Sequence, residues 1–190
     1  VNKSQIRKKI LKIRKKNFDK NFDKNFKINS DKLISFLKKK KSNLKNIGGY
    51  YPSNYEIDDL EILDLLEKKN FNILLPIIKK NNQMNFFKWS NNDTLKINKF
   101  GIPEPVSSRI FYPDVLLVPL VAYDGNLNRL GYGGGFYDRY IQKIDKIKKV
   151  IKIGLAFSFQ KIKSIPINQY DKRLDFIITE KEILRWEYYF

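Results

Sequence analysis

Between Arg129 and Arg139 the chain packs four glycines, two arginines, one aspartate and three aromatic residues into eleven positions, Arg-Leu-Gly-Tyr-Gly-Gly-Gly-Phe-Tyr-Asp-Arg. Glycine leaves backbone N–H groups open to close approach by a ligand. A helix starting near Phe136 would turn its positive end toward the same place. Arg129 and Arg139 can hold anionic oxygens, and Asp138 can hold a magnesium ion. These are the parts of a phosphate cradle. The pattern matches neither standard nucleotide fingerprint, because no Lys-Ser/Thr follows the glycines and the loop lies well past mid-chain. For the glycines alone a simple tight turn competes. The charges on both flanks of one helix start weigh against it, since clustered charges need partners.

Two more carboxylates stand where ligands of open α/β sheets bind. Tyr51-Pro52-Ser53-Asn54-Tyr55-Glu56 puts Glu56 just beyond an apolar run, and Pro166-Ile167-Asn168-Gln169-Tyr170-Asp171 puts Asp171 in a late loop. Taken singly, Glu56 reads equally as a helix-start acid and Asp171 as a turn residue.

The elements that must position these groups follow from periodicity. Ser4 to Lys16 reads as a basic helix with Ile6, Ile10 and Ile13 on one face. A four-residue repeat follows, Asn17-Phe18-Asp19-Lys20-Asn21-Phe22-Asp23-Lys24-Asn25-Phe26, whose phenylalanines would form one helical, core-facing stripe without a binding role. Ser30 or Asp31 caps a second helix to about Lys40. From Asn46 short strands and helices alternate. Strands are expected at Ile47–Tyr51, Asn72–Ile78, Met84–Trp89, Val115–Val121, Val150–Phe157 and Phe176–Thr179, with helices from Asp58 to about Lys69 and from Phe136 to about Ile147. Asp58 and Glu61 resemble a capping box. Asp93 to Ser108 reads as a loop. This alternation predicts an α/β fold. It is expected as a single layered domain over 1–190, with a mainly parallel central sheet flanked by helices, Rossmann-like without the standard dinucleotide fingerprint.

Composition narrows the chemistry. The 190 residues contain no cysteine and no histidine, so disulfides, thiolate zinc sites and a histidine general base are excluded. No apolar run is long enough to span a bilayer, and the first residues lack the pattern of a secretory signal. A cytoplasmic protein using oxygen ligands and magnesium is the expectation. The net charge of +18 comes from 38 Lys+Arg against 20 Asp+Glu. It invites a nucleic-acid reading, but the lysines are spread through every segment rather than along one stripe.

In their order along the chain these features resemble the 5-formyltetrahydrofolate cyclo-ligase, or methenyltetrahydrofolate synthetase, family, from about Lys3 to Glu180. Lys3-Ser4-Gln5-Ile6-Arg7 is similar to its N-terminal basic pair, Tyr51 to Glu56 to its Tyr-x-Pro-x-x-x-Glu segment, and Gly101-Ile102-Pro103-Glu104-Pro105 to its mid-chain loop. Pro119 to Arg139, including Asp124, resembles its most diagnostic stretch; Gly154 to Phe157, Gln160, Pro166, Asp171 and Thr179-Glu180 follow in order. Tyr170 stands where many members have histidine, and Phe136 where tyrosine is common. The resemblance implies ATP- and Mg2+-dependent closure of 5-formyltetrahydrofolate to 5,10-methenyltetrahydrofolate, through phosphorylation of the formyl oxygen.

It also implies roles. ATP would be bound by Lys3, Arg7 and the run Arg129, Leu130, Gly131, Tyr132, Gly133, Gly134, Gly135, Phe136 and Tyr137. Folate would be bound by Tyr51, Glu56, Tyr132, Gly133, Gly134, Gly135 and Phe136. Asp138 and Asp171 would hold magnesium, and Arg139 and Tyr137 would be catalytic. Trp89 or Phe86 is a candidate wall of the folate pocket. The expected partners are the two small molecules alone, acting on a monomer without membrane or nucleic acid. The alternatives are a basic nucleic-acid-binding domain and a non-catalytic relative that binds folate or nucleotide.

Overall fold

The computed structural model describes residues 2–20, 30–40, 44–79 and 82–185. In chain order the elements are α1 (Lys3–Lys20), α2 (Ser30–Lys40), β1 (Asn46–Gly48), α3 (Leu60–Glu67), β2 (Asn72–Ile78), β3 (Met84–Lys88), β4 (Leu95–Ile97) and β5 (Pro103–Pro105). They continue with β6 (Ile110–Phe111), β7 (Val115–Pro119), β8 (Ala122–Tyr123), β9 (Arg129–Leu130), α4 (Phe136–Ile144), β10 (Ile151–Leu155), β11 (Phe176–Ile178) and β12 (Ile183–Arg185).

The unbroken apolar run of β7 belongs in the middle of a sheet covered on both faces, because side chains alternate and both sets are buried. Val115 and Leu117 face a core made with Leu33, Ile34 and Leu37 of α2 and Ile62, Leu63 and Leu66 of α3. Leu116 and Val118 face the opposite core, made with Tyr140, Ile141 and Ile144 of α4. Full burial of each such aliphatic side chain contributes about 1.5–3 kcal/mol. The result is an eight-stranded sheet, ordered β12-β11-β10-β7-β1-β2-β3-β6, between helical layers.

The five strands β11, β10, β7, β1 and β2 are mutually parallel, and β12, β3 and β6 add antiparallel edges. Taken alone in chain order, the parallel strands lie 2-1-3-4-5. This doubly wound order reverses between β1 and β7 and opens a crevice at their carboxyl ends. The loop bearing Glu56 leaves β1 there, and the chain leading to the glycine run leaves β7. A third, smaller core joins Ile6 and Ile10 of α1 to Val121, Ala122 and Leu130, which seats α1 against the glycine run.

Several elements differ from expectation for local reasons. The segment read as a loop from Asp93 to Ser108 contains the β4–β5 hairpin. Its prolines lie on a two-stranded ribbon, and buried Glu104 ties it to the sheet by accepting from the Ile78 N–H (3.4 Å) and Asn98 Nδ2 (3.3 Å). Asp59, not Asp58, stands at the start of α3, and no side-chain cap is made; Asp58 Oδ1 instead accepts from the Leu60 N–H. Helix α1 runs on through Phe18, whose ring is 40% exposed and so is not core-facing. Phe22 and Phe26 lie outside the described residues. A short antiparallel pair, β8–β9, brackets the Asp124-Gly125 turn. Buried Asp124 organises that turn by accepting from the N–H groups of Asn126, Asn128 and Ile165 and from Asn128 Nδ2, all at 3.0–3.1 Å.

Candidate active site

The crevice is a cleft of about 1050 Å³ that brings together, with two exceptions, the site residues expected from sequence. Lys3 and Arg7 reach it from α1, Tyr51 and Glu56 from the loop after β1, the run 129–139 from β9 through the start of α4, and Asp171 from the late loop. The β4–β5 hairpin supplies Asn98, Phe100, Gly101, Ile102 and Pro103 as an outer wall. The exceptions are Trp89 and Phe86. Both are buried in the two main cores and do not line the cleft. Aromatic side chains on strand faces are consumed by packing first.

The glycine run is built around guanidinium groups. Arg7 Nε donates to the Gly131 carbonyl at 2.7 Å, and its guanidinium lies against Gly133, where an added Cβ would stand 3.4 Å from Cζ. Arg139 donates to the Gly134 carbonyl at 2.5 Å and lies over the Phe136 ring at 5.5 Å. Gly135 is the N-cap of α4 with φ 65°, a left-handed conformation that glycine takes without penalty. The α4 N-terminus therefore opens toward the cleft with Asp138 in its first turn. Phe136 meets Phe100 of the hairpin edge-on at 5.8 Å. Leu130 is buried, so only its backbone can meet a ligand.

Both candidate metal ligands are already held by cations. Asp138 Oδ1 accepts from Arg129 at 2.7 Å and from the Lys172 N–H at 3.0 Å. Asp171 Oδ2 accepts from Lys3 Nζ at 2.5 Å and from the Asn168 N–H at 2.7 Å. Each keeps its other carboxylate oxygen. No group of three or more His, Cys, Asp or Glu residues forms a cage among the described residues. That donor set fits magnesium, which is bound through one or two carboxylates together with substrate phosphates and water.

The opposite wall carries Glu56. Its Oε2 accepts from the Ser53 N–H at 2.7 Å and from Ser53 Oγ at 3.3 Å. Burial pushes the carboxyl above its ordinary range, an effect opposed by Ser53, by the Tyr132 hydroxyl and by Arg14. Tyr137 also lines the cleft. Its buried hydroxyl has no hydrogen-bond partner within the protein. Burial, followed by the charges of Glu56 and Asp59, drives its pKa far up, so the phenol remains a donor at any working pH. The cleft is thus divided. Cations and glycine N–H groups line one side, and an acid set among aromatic and apolar groups lines the other.

The sequence profile of the 5-formyltetrahydrofolate cyclo-ligase family matches residues 1–180. The chain belongs to the 5-formyltetrahydrofolate cyclo-ligase family. It is 31% identical over 176 residues to the 5-formyltetrahydrofolate cyclo-ligase of Haemophilus influenzae, covering 89% of this chain and 92% of that one. It is 32% identical over 179 residues to the Mycoplasma genitalium cyclo-ligase, with 94% and 98% covered. Among solved structures, Aquifex aeolicus 5,10-methenyltetrahydrofolate synthetase superposes with a TM-score of 0.75 at 31% identity, covering 96% of this chain and 92% of that chain. The Mycoplasma pneumoniae synthetase superposes at 0.70 and 26%, covering 95% and 99%. The chain is accordingly a cyclo-ligase, an enzyme that converts 5-formyltetrahydrofolate to the 5,10-methenyl form.

One residue near the site escaped the sequence reading. Arg14 sits about three turns along α1 from Lys3 in a lysine-rich stretch and draws no notice there, yet it is 1% exposed. A signal was present: it lies seven residues beyond Arg7 and eleven beyond Lys3, on the helix face that carries both.

Proposed function

We propose that the cleft binds ATP and 5-formyltetrahydrofolate together, with magnesium, and that the formyl oxygen is phosphorylated where the two meet. The observation that carries this is the division of the cleft around one glycine run, cationic on one side and acidic on the other. Lys3, Arg7 and the N–H groups of Gly131 and Gly133 to Gly135 would hold the phosphates, as a helix N-terminus and glycine loop do for anions. Asp138 and Asp171 would hold magnesium, which neutralises charge on the phosphates when bound. Tyr51 and Glu56 would receive the pterin, the carboxylate accepting from its amino and ring N–H groups. Tyr132, Gly133, Gly134, Gly135 and Phe136 would border the formyl group.

The chemistry then needs placement and charge stabilisation and no protein nucleophile. The formyl oxygen attacks the γ-phosphorus, the bond to the bridging oxygen breaks, and ADP leaves. Arg139, beside the glycine run at the start of α4, would offset charge on the transferred phosphoryl group. The Tyr137 hydroxyl, without a protein partner, would donate to an oxygen of the reacting centre. N10 of the folate attacks the activated carbon, phosphate departs with the former formyl oxygen, and N10 loses its proton to give the methenyl product. This sequence explains how a chain without histidine or cysteine can be an enzyme.

The sheet supports a Rossmann-like description in the broad, doubly wound sense. Spread lysines and a concave site for small anions favour small molecules over nucleic acid as partners; a cytoplasmic monomer without a membrane partner completes the proposal. Among the described residues no helix is long and apolar enough to cross a membrane. The test is turnover: purified protein with ATP, magnesium and 5-formyltetrahydrofolate should develop the near-ultraviolet absorbance of the methenyl product, with ADP and phosphate formed in equal amounts. Folded protein that binds both ligands without product would identify a non-catalytic relative.

A further inference from the structure

Helix α1 carries more of the site than its first two turns. Lys3 and Arg7 face the nucleotide side, and Arg14 and Phe18 follow on the same stripe at spacings of seven and four. Arg14 is 1% exposed. Its Nη1 donates to the Tyr132 hydroxyl at 2.6 Å, and its Nη2 donates to the Leu120 carbonyl at 2.5 Å, just beyond β7. Nη1 also lies 3.4 Å from the Asn54 carbonyl. One turn on, the Phe18 ring packs against Tyr55 at 4.8 Å. Asn54 and Tyr55 both have left-handed backbones, φ 49° and 60°, a strained arrangement for two consecutive residues other than glycine. Outside contacts that hold them therefore matter to the loop presenting Glu56.

The Tyr132 hydroxyl, accepting from Arg14, has one proton left to give, and it stands close enough to Glu56 for the carboxylate's charge to raise its pKa after burial. Arg14 thus joins the helix of the nucleotide clamp both to the tyrosine of the glycine run and to Asn54, two residues before the acid of the pterin wall. We propose that Arg14 is a positioning residue for 5-formyltetrahydrofolate, fixing Tyr132 against Glu56 and joining the glycine run to the substrate loop. The inference rests on Glu56 receiving the pterin. Arginine suits the task better than lysine, since its fork serves a hydroxyl and a carbonyl at once. The charged and titratable groups facing Glu56 are Arg14, Tyr132, Tyr137, Tyr50 and Asp59. Arg14 is the one among them that favours the ionised carboxylate by charge.

The experiment titrates 5-formyltetrahydrofolate calorimetrically, without ATP, into wild type, Arg14→Met, Arg14→Lys, Tyr132→Phe, Arg14→Met/Tyr132→Phe and Glu56→Gln between pH 5 and 9. Arg14→Met should weaken binding about 10- to 100-fold, the range for a hydrogen bond to a charged group. Its acid limb of affinity should move to higher pH than in wild type, and Arg14→Lys should return the limb toward wild type. The double variant should bind no worse than the weaker single, because both changes break the one contact between Arg14 and Tyr132. Wild-type affinity and an unmoved limb in folded Arg14→Met, or additive losses in the double variant, would overturn the proposal. Should Arg14→Met fail to fold, Tyr132→Phe decides, since it removes only a hydroxyl from a side chain that is 38% exposed; an unmoved limb there is equally fatal. If Glu56→Gln also binds normally, the assignment of the pterin to Glu56 fails as well. If Glu56→Gln alone loses affinity, only the role of Arg14 does.

Discussion

Gly135→Ala is the perturbation whose outcome the structure fixes most fully. Gly135 has φ 65°, and an alanine there costs about 1–2 kcal/mol for the left-handed backbone. For a chain of this size that lowers the melting temperature by about 2–8 °C. The new Cβ would also stand 2.8 Å from Arg139 Nη1, inside contact distance, so the guanidinium must move. Moving it breaks its 2.5 Å bond to the Gly134 carbonyl and its 3.2 and 3.3 Å bonds to the Asn82 carbonyl. Removing an aimed donor from a transition state costs about 100- to 1000-fold in rate, and a displaced one should cost part of that, about 10- to 100-fold. The assay is kcat with ATP and folate both saturating, beside a thermal melt. Gly125→Ala is the control, because no atom lies within 4 Å of its added Cβ and its φ is not positive; it should leave both readings unchanged. A Gly135→Ala protein that melts lower but keeps wild-type kcat would refute the role given to Arg139.

Asp138→Asn should abolish turnover and also destabilise the fold, by about 1.5–3 kcal/mol, because the Arg129 side chain is 4% exposed and loses its counter-charge; near-normal turnover would remove Asp138 from the metal site. Asp59 is fully buried, with one oxygen unpartnered, and burial holds its carboxyl well above the ordinary range. The folded chain therefore keeps a proton that the unfolded chain releases, and stability from this group is lost as pH rises above about 4. Asp59→Asn should accordingly gain on wild type in melting temperature between pH 4 and pH 8, whereas a pH-independent difference would contradict the assignment.

The parallel strands were legible because their apolar runs are continuous and bounded by turn residues: the expected span of β2 is the observed one, and β10 differs by one or two residues at each end. The hairpins β4–β5 and β8–β9 were not, because strands of two or three residues carry too little periodicity and lie beside Pro, Gly and Asp. The parts of the site carried by backbone chemistry, the glycines and the helix start, announced themselves. Asp124 and Gln160 belong to the recognisable pattern yet act structurally, Gln160 Nε2 donating to the carbonyls of Leu120 and Val121. Sequence spacing cannot separate such residues from those that face the ligand. Arg14 was hidden for the opposite reason. In a chain with 38 basic residues one arginine among them attracts no notice, and only the folded position of α1, which sets its guanidinium on the Tyr132 hydroxyl and the Leu120 carbonyl, shows that it is buried.

The central claim is that the formyl oxygen attacks phosphorus. Turnover of 5-formyltetrahydrofolate labelled with oxygen-18 in the formyl group tests it most directly, with the released phosphate analysed by mass spectrometry. The account predicts that the label passes from the formyl carbon into inorganic phosphate. Unlabelled phosphate, formed together with the methenyl product, would contradict it.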